Sequence, residues 1–229
     1  MYCICSGVNS QQLLNCYNGL MLESTSLFQI AALIISLLLA VSLHEAMHGY
    51  AAYWLGDTTA HHAGRLTLNP LKHIDILTTV LLPLGLILLG LPPFFIAKPV
   101  PFNPWNVRYA EYGVAIIGLA GPATNLVLAT VTAIFVQLSG IAVGTDIFFA
   151  LSTFIQINIA LFVFNLIPFP PLDGSRVLYA FAPEPVQKVM QQIESLGLTA
   201  ILIFMFLLFP ILGPFVININ QFFYTLLLG

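Results

Sequence analysis

Charge is what this sequence has least of: 7% of its 229 residues are Asp, Glu, Lys or Arg, against the roughly 25% usual for soluble domains. Its six cations, Arg65, Lys72, Lys98, Arg108, Arg176 and Lys188, form no cluster, which excludes a basic nucleic-acid surface. Cysteine is scarce too. Cys3, Cys5 and Cys16 all fall in the N-terminal tail, so an odd count builds no disulfide framework and none belongs to a metal site in the body of the chain unless the tail folds inward. No repeat of 20–50 residues and no low-complexity tract is present, which excludes solenoids and arrays. No polar region exceeds about 30 residues, too short for a separate soluble module. The expected organisation is a tail over residues 1–26 and one domain over residues 27–229.

What is present is apolar: 59% of the chain is hydrophobic. Leu27–Leu43 running on toward Leu55, Ile76–Ala97, Tyr112–Leu138, Ile147–Ile167 and Leu198–Leu228 each approach or exceed the ~18–20 residues that cross ~30 Å of hydrocarbon as helix. The first has no basic region before it and no small-residue cleavage site after it, so it reads as a retained span and not a signal peptide. Pro210, Gly213 and Pro214 leave the last run open to one pass or two. Ala182–Ser195 places Val186, Val189, Met190 and Ile193 at helical spacing, as an amphipathic interfacial helix would.

Against this background "LHEAMHGY", Leu43 to Tyr50, stands out. Residues four apart share a helix face, so His44 and His48 can aim imidazole nitrogens at one ion. Glu45 is offset from His44 by about 100° and can reach a metal-bound water without ligating the metal, the HExxH arrangement of zinc peptidases. Ionisable groups inside a membrane cost ~2.5–3.5 kcal/mol each on insertion scales, which argues against an accidental pattern.

A catalytic zinc takes three protein ligands. His61, His62 and His73 qualify chemically but lie in the polar stretch "TTAHHAGRLTLNPLKHID", which reads as a surface hairpin or loop. Asp173 follows an apolar run in "NLIPFPPLDGSR", where three prolines forbid regular helix and can bend the chain back. It could equally be an N-cap.

"HEAMH" (His44–His48), "AGPATN" (Ala120–Asn125) and "NLIPFPPLDGSR" (Asn165–Arg176) occur in this order on three apolar segments. Together they resemble the signature of the site-2 protease family of intramembrane zinc metalloproteases. "GRLTLNPLKHID" and "AKPVPFNP" are also similar to its compact bacterial members, and the match covers Ser42 to Arg176. The resemblance implies one Zn²⁺ per chain on His44, His48 and Asp173, with Glu45 as catalytic base and Asn125 and Asn165 near the metal. The two amides suit oxyanion stabilisation or a hold on the substrate backbone, the plainer role being helix–helix hydrogen bonding. No PDZ-like or CBS-like module accompanies the motifs.

His44 lies about 26 Å along the first helix from Leu27, so the metal belongs near that helix's far end. For Asp173 to meet it, the Ile147–Ile167 helix must end on the same side. The chain between Gly56 and Glu111 must then begin and end there, so Ile76–Ala97 would re-enter and not cross, with Pro83, Gly85, Gly90, Pro92 and Pro93 as breaks. All six cations then share one side, which the positive-inside rule makes cytoplasmic.

The expected fold is therefore an all-α polytopic bundle of about five or six transmembrane helices, with a re-entrant segment and a short β-hairpin near the site. Residues Gly64, Arg65, Leu66, Thr67, Leu68 and Asn69 alternate like an edge strand and could pair with an unwound substrate. Gly118, Ala120 and Gly121 read as close helix packing. The implied function is hydrolysis of peptide bonds in or near membrane spans of single-span proteins, in a bacterial cell membrane with the site nearer the cytoplasm. No nucleic-acid partner is expected. The competing classes are a metal or ion transporter and a zinc-bound scaffold that does not cut; Glu45, beside the ligands and not among them, disfavours both.

Overall fold

The computed structural model describes residues 26–90 and 97–229. The tail cysteines Cys3, Cys5 and Cys16, the rest of the 1–25 tail, and the breaks expected at Pro92 and Pro93 lie outside the described residues. Helix α1, Leu27–Trp54, starts at a capping box in which Ser26 Oγ accepts from the Gln29 amide and Gln29 Oε1 accepts from the Ser26 amide. Its buried stripe is small and steps by four: Ala32, Ser36, Ala40, then His44, His48 and Ala52. Large residues such as Leu33, Ile34, Ile35 and Leu39 face outward. Small side chains let helices approach in a lipid-like environment, and the stripe carries the two histidines onto the packed face.

A single helical turn, Thr59–His62, and a short 3₁₀ turn, Pro70–Lys72, follow. Helix α2, Ile76–Leu88, is wound as π over its first six residues. Helices α3, Ala110–Ser139, and α4, Asp146–Asn165, form an antiparallel pair packed against each other and against α1. Then come α5, Asp173–Phe181, α6, Glu184–Ser195, and α7, Leu198–Leu228. Among the described residues, four helices are long and apolar enough to cross a membrane: α1, α3, α4 and α7. Helix α7 stays one helix, with a π turn over Phe204–Leu208 and Pro214 inside it, so the last apolar run forms one membrane-length helix and not two. The 182–195 stretch forms the expected amphipathic helix, α6, with Met190 buried.

The 74–97 excursion returns to its starting point. The Lys98 amide donates to the His73 carbonyl at 3.0 Å, and Arg65 Nη2 donates to the Lys98 carbonyl at 2.8 Å. Helix α2 is about 20 Å long, short of the ~30 Å hydrocarbon core. His73 and Lys98, which flank the segment, are thus hydrogen-bonded neighbours.

The β-hairpin expected near the site is not formed, and no strand occurs among the described residues. Residues 65–69 have no regular structure, and local groups occupy their backbone. The Arg65 amide donates to the Ala60 carbonyl, the Thr67 amide to the Arg65 carbonyl, and the Asn69 amide to Thr67 Oγ1, while His73 Nε2 donates to the Thr67 carbonyl. Thr and Asn side chains offer the backbone an alternative to a ladder, and here that alternative wins. The segment is instead packed down: Arg65 is buried and Leu66 covers Gly49.

Asp57 clips the end of α1 to the chain entering α3. Its carboxylate accepts from the Thr59 amide and hydroxyl, the Asn103 amide at 2.7 Å and Asn106 Nδ2. Burial pushes this carboxyl up, but these hydrogen bonds outweigh burial and hold it below the usual aspartate range.

Candidate metal centre and active site

The i, i+4 spacing on α1 brings His44 Nε2 and His48 Nε2 to 3.0 Å of each other. Asp173 Oδ2 completes a triangle at 3.0 Å from the first and 3.1 Å from the second. All three residues are buried, and among the described residues they form the one group of His, Cys, Asp and Glu side chains placed to hold a metal ion. Asp173 is the first residue of α5 and caps nothing, because Leu172 takes the N-cap position. Gly174 makes this approach available: a Cβ there would lie 2.5 Å from the Leu166 carbonyl carbon.

The donor set fits zinc. Ligand bonds of 2.0–2.1 Å in a tetrahedron give ligand–ligand edges of about 3.3 Å, and the observed edges are 3.0–3.1 Å. The outer nitrogens set the tautomers. His48 Nδ1 lies 2.7 Å from the Ile117 carbonyl and His44 Nδ1 lies 2.5 Å from Asn125 Oδ1. Each acceptor requires a proton on Nδ1, which turns both Nε2 lone pairs toward the carboxylate. Three acceptors at that spacing repel unless a positive charge lies among them.

Helix α3 supplies the back wall. Pro122 cannot donate to the Gly118 carbonyl, and one residue earlier on the same turn the Ile117 carbonyl meets His48 Nδ1. Gly121 faces the ligands directly, since a Cβ there would lie 2.7 Å from His44 Nε2 and closer still to His48 Nε2. The sequence assigned this glycine to helix packing; its signal is a glycine one turn before Asn125.

In front of the triangle is a cavity of about 1020 Å³ between α1, α4, α5 and α7, lined by His44, Glu45, His48, Asn165 and Asp173. Glu45 Oε2 accepts from the Val100 amide at 3.1 Å. Asn165 Nδ2 donates to the Leu161 carbonyl at 2.9 Å. Farther along, Gln156, Asn220, Gln221 and Tyr224 add polar groups to the same wall.

The structure does not gather every candidate here. His61 and His62 are exposed and stack on each other, and His61 also stacks on Tyr53, while His73 is tied to Thr67. Asn125 is fully buried behind His44 and does not line the cavity. Its Nδ2 donates to Asn158 Oδ1 at 2.8 Å and to the Ala40 carbonyl at 3.3 Å. Every polar direction of that amide points to protein, away from the place where a substrate oxyanion would lie. Of residues 64–69, Arg65 is buried on the Lys98 and Pro99 carbonyls, and none of the six lines the cavity.

Comparison with known proteins agrees with this geometry. The model for peptidase family M50 matches residues 141–208. YwhC of Bacillus subtilis strain 168, named as a zinc metalloprotease, is 37% identical over 194 residues, covering 81% of this chain and 83% of that protein. Rip2 of Mycolicibacterium smegmatis, named likewise, is 30% identical over 170 residues, 72% of this chain and 63% of its own length. Rip2 of Mycobacterium tuberculosis strain H37Rv is 26% identical over 169 residues, with the same coverage of 72% and 63%. No solved structure matches the chain with significance. With four membrane-length helices, a buried His–His–Asp triangle and a relative that aligns over most of both chains, this is a multi-pass membrane protein that belongs to peptidase family M50, the site-2 protease family of zinc metalloproteases.

Proposed function

We propose that the chain is an intramembrane endopeptidase that cuts single-span membrane proteins within or beside their spans. The observation that carries the reading is the cavity of about 1020 Å³, which exposes the ligand triangle and Glu45 together on its wall inside a helix bundle. His44, His48 and Asp173 would hold one zinc. When bound, it supplies Lewis acidity toward the scissile carbonyl and toward water.

Glu45 is the base. The Val100 amide holds its Oε2, leaving Oε1 to take a proton from the attacking water and pass one to the leaving amine. Asn165 faces the same cavity with one N–H not used by the Leu161 carbonyl, a neutral donor for the developing oxyanion that adds no buried charge. His48 and His44 keep their Nε2 lone pairs forward because Ile117 and Asn125 hold the Nδ1 protons behind. Asn125 thus orients a ligand, and Asn165 is the amide that meets substrate. Residues 64–69 border the Glu45–Val100 wall through Leu66, which reaches both Gly49 and the neighbourhood of Val100, and they would steady an unwound substrate from the rim.

Orientation follows from charge. Every Lys and Arg lies either between α1 and α3 or on the short helices α5 and α6 that join α4 to α7, and the α3–α4 turn has none. The positive-inside rule makes the metal end cytoplasmic in a bacterial membrane.

The test is cleavage of a panel of single-span membrane proteins by the purified chain and by Glu45→Gln, with zinc measured in both. Retained zinc with loss of cleavage only in the variant supports the reading. Equal cleavage by both removes Glu45 from the chemistry, and absence of zinc from folded protein removes the metal.

A further inference from the structure

Asn158 lies in the middle of α4, where lipid-length helices usually place apolar side chains, and it is fully buried. It does not line the cavity and touches neither ligand nor substrate space. Its hydrogen bonds nevertheless have a direction. Asn158 Nδ2 donates to the Phe154 carbonyl at 2.8 Å, so the atom turned toward α3 is its oxygen. That oxygen accepts from Asn125 Nδ2 at 2.8 Å, and the Ala40 carbonyl accepts from the same group at 3.3 Å. Asn125 is left with Oδ1 toward His44 Nδ1.

We propose that Asn158 is a positioning residue that fixes the tautomer of His44 through Asn125. An inverted Asn125 amide would oppose its oxygen to Asn158 Oδ1 and to the Ala40 carbonyl, two acceptor–acceptor contacts in a buried site. It would also present an N–H to His44 Nδ1, which moves the imidazole proton to Nε2 and removes the ligand lone pair. Without Asn158, the longer contact to the Ala40 carbonyl is left to oppose inversion. The relay therefore runs Phe154 carbonyl, Asn158, Asn125, His44. Groups behind metal-ligating histidines typically change metal affinity 10–100-fold. This inference rests on the zinc reading of the triangle.

The experiment is a zinc-affinity titration of the full chain in detergent against a competing chelator, with thermal melting of each variant. Asn158→Leu keeps side-chain bulk and removes the relay. Asn158→Ser keeps a hydroxyl bond to the Phe154 carbonyl, the i−4 bond open to Ser in helices, but is too short to reach Asn125, so it answers if the leucine variant does not fold. Both are expected to bind zinc at least tenfold more weakly than wild type. Adding Asn158→Leu to Asn125→Leu is expected to change affinity less than twofold, because the relay is already cut. Affinities of both single variants within twofold of wild type overturn the proposal, as do losses that multiply in the double variant, the mark of a separate helix-packing role. A wild-type chain that takes up no zinc overturns the metal reading first, and this one with it.

Discussion

Gly121→Ala should separate helix stability from metal binding. In the helix α3 interior, Ala is favoured over Gly by roughly 1 kcal/mol of intrinsic propensity. The added methyl, however, would lie 2.7 Å from both Cε1 and Nε2 of His44 and in closer contact with His48 Nε2. Nonbonded heavy atoms prefer about 3.5 Å, so His44 must retreat by about 0.8 Å or α3 must move away from α1. Metal sites tolerate only about 0.2 Å of ligand displacement. Helix separation is restrained by the buried Ala40 and Asn125 on the facing surfaces and by the bond between them. Overpacking of this kind costs about 1–3 kcal/mol, which offsets the propensity gain and leaves the melting temperature little changed.

Zinc affinity carries the effect. Loss of one ligand position should weaken binding at least about 100-fold, or roughly 2.7 kcal/mol. Chelator competition on detergent-purified protein measures it, with melting curves as the check on folding. Gly85→Ala is the control, since a Cβ there meets nothing within 4 Å. A Gly121→Ala chain that binds zinc within threefold of wild type would refute the claim that this glycine makes room for the ligand triangle.

Three further outcomes are expected. Asn165→Ala should lower kcat/KM by about 10²–10³ at unchanged zinc content, as removal of an oxyanion donor does; a loss confined to KM would place the amide on ground-state binding instead. Asp57 is held below its ordinary pKa of 3.8, so its contribution to stability is complete at neutral pH and is lost as pH falls through and below that value. Asp57→Asn should therefore melt earlier than wild type at pH 7 and converge with it at acidic pH, and parallel curves from pH 7 to pH 3 would deny the clip its ionised carboxylate. Single cysteines at Leu71 and Val143, both largely exposed and placed in a cysteine-free background, should label from opposite faces of sealed cells, Val143 from outside, and labelling of both from one face would overturn the topology.

The pairing of His44 and His48 on α1 was legible because it is periodic. His44 and His48 sit one turn apart on a single helix, and nothing outside that helix is needed to pair them. Asp173 was less so: its residue type suits an N-cap as well as a ligand, and only the fold shows that Leu172 holds the cap position and leaves the carboxylate free for the histidines. The hairpin failed for a local reason. Alternation in "GRLTLNP" reads as strand, but Thr67, Asn69 and His73 satisfy the backbone from side chains, a competition that β-propensity does not register. The backing of His44 was beyond the sequence in a different way. Asn125, Asn158 and Asn165 are identical in type and all fall in apolar helices, and they differ in partners that the sequence does not reveal: Asn125 bonds to groups on two other helices, Asn158 to its own helix and to Asn125, and Asn165 to its own helix alone.

The sequence constrains topology because topology is a matter of parity. If α1 and α4 end on one side, an even number of crossings must separate them, and α3 with α4 already supplies two. The intervening apolar run 76–97 then has to return to the side it left. The hydrogen bond from Lys98 to His73 closes that return, and it also fixes the segment bearing Val100, whose amide holds Glu45. The segment between His73 and Lys98 is thus more than a filler between helices. By ending where it begins, it brings the Val100 N–H to Glu45, a carboxylate on the cavity wall outside the ligand triangle, and one held oxygen with the other left open is what the proposed base requires.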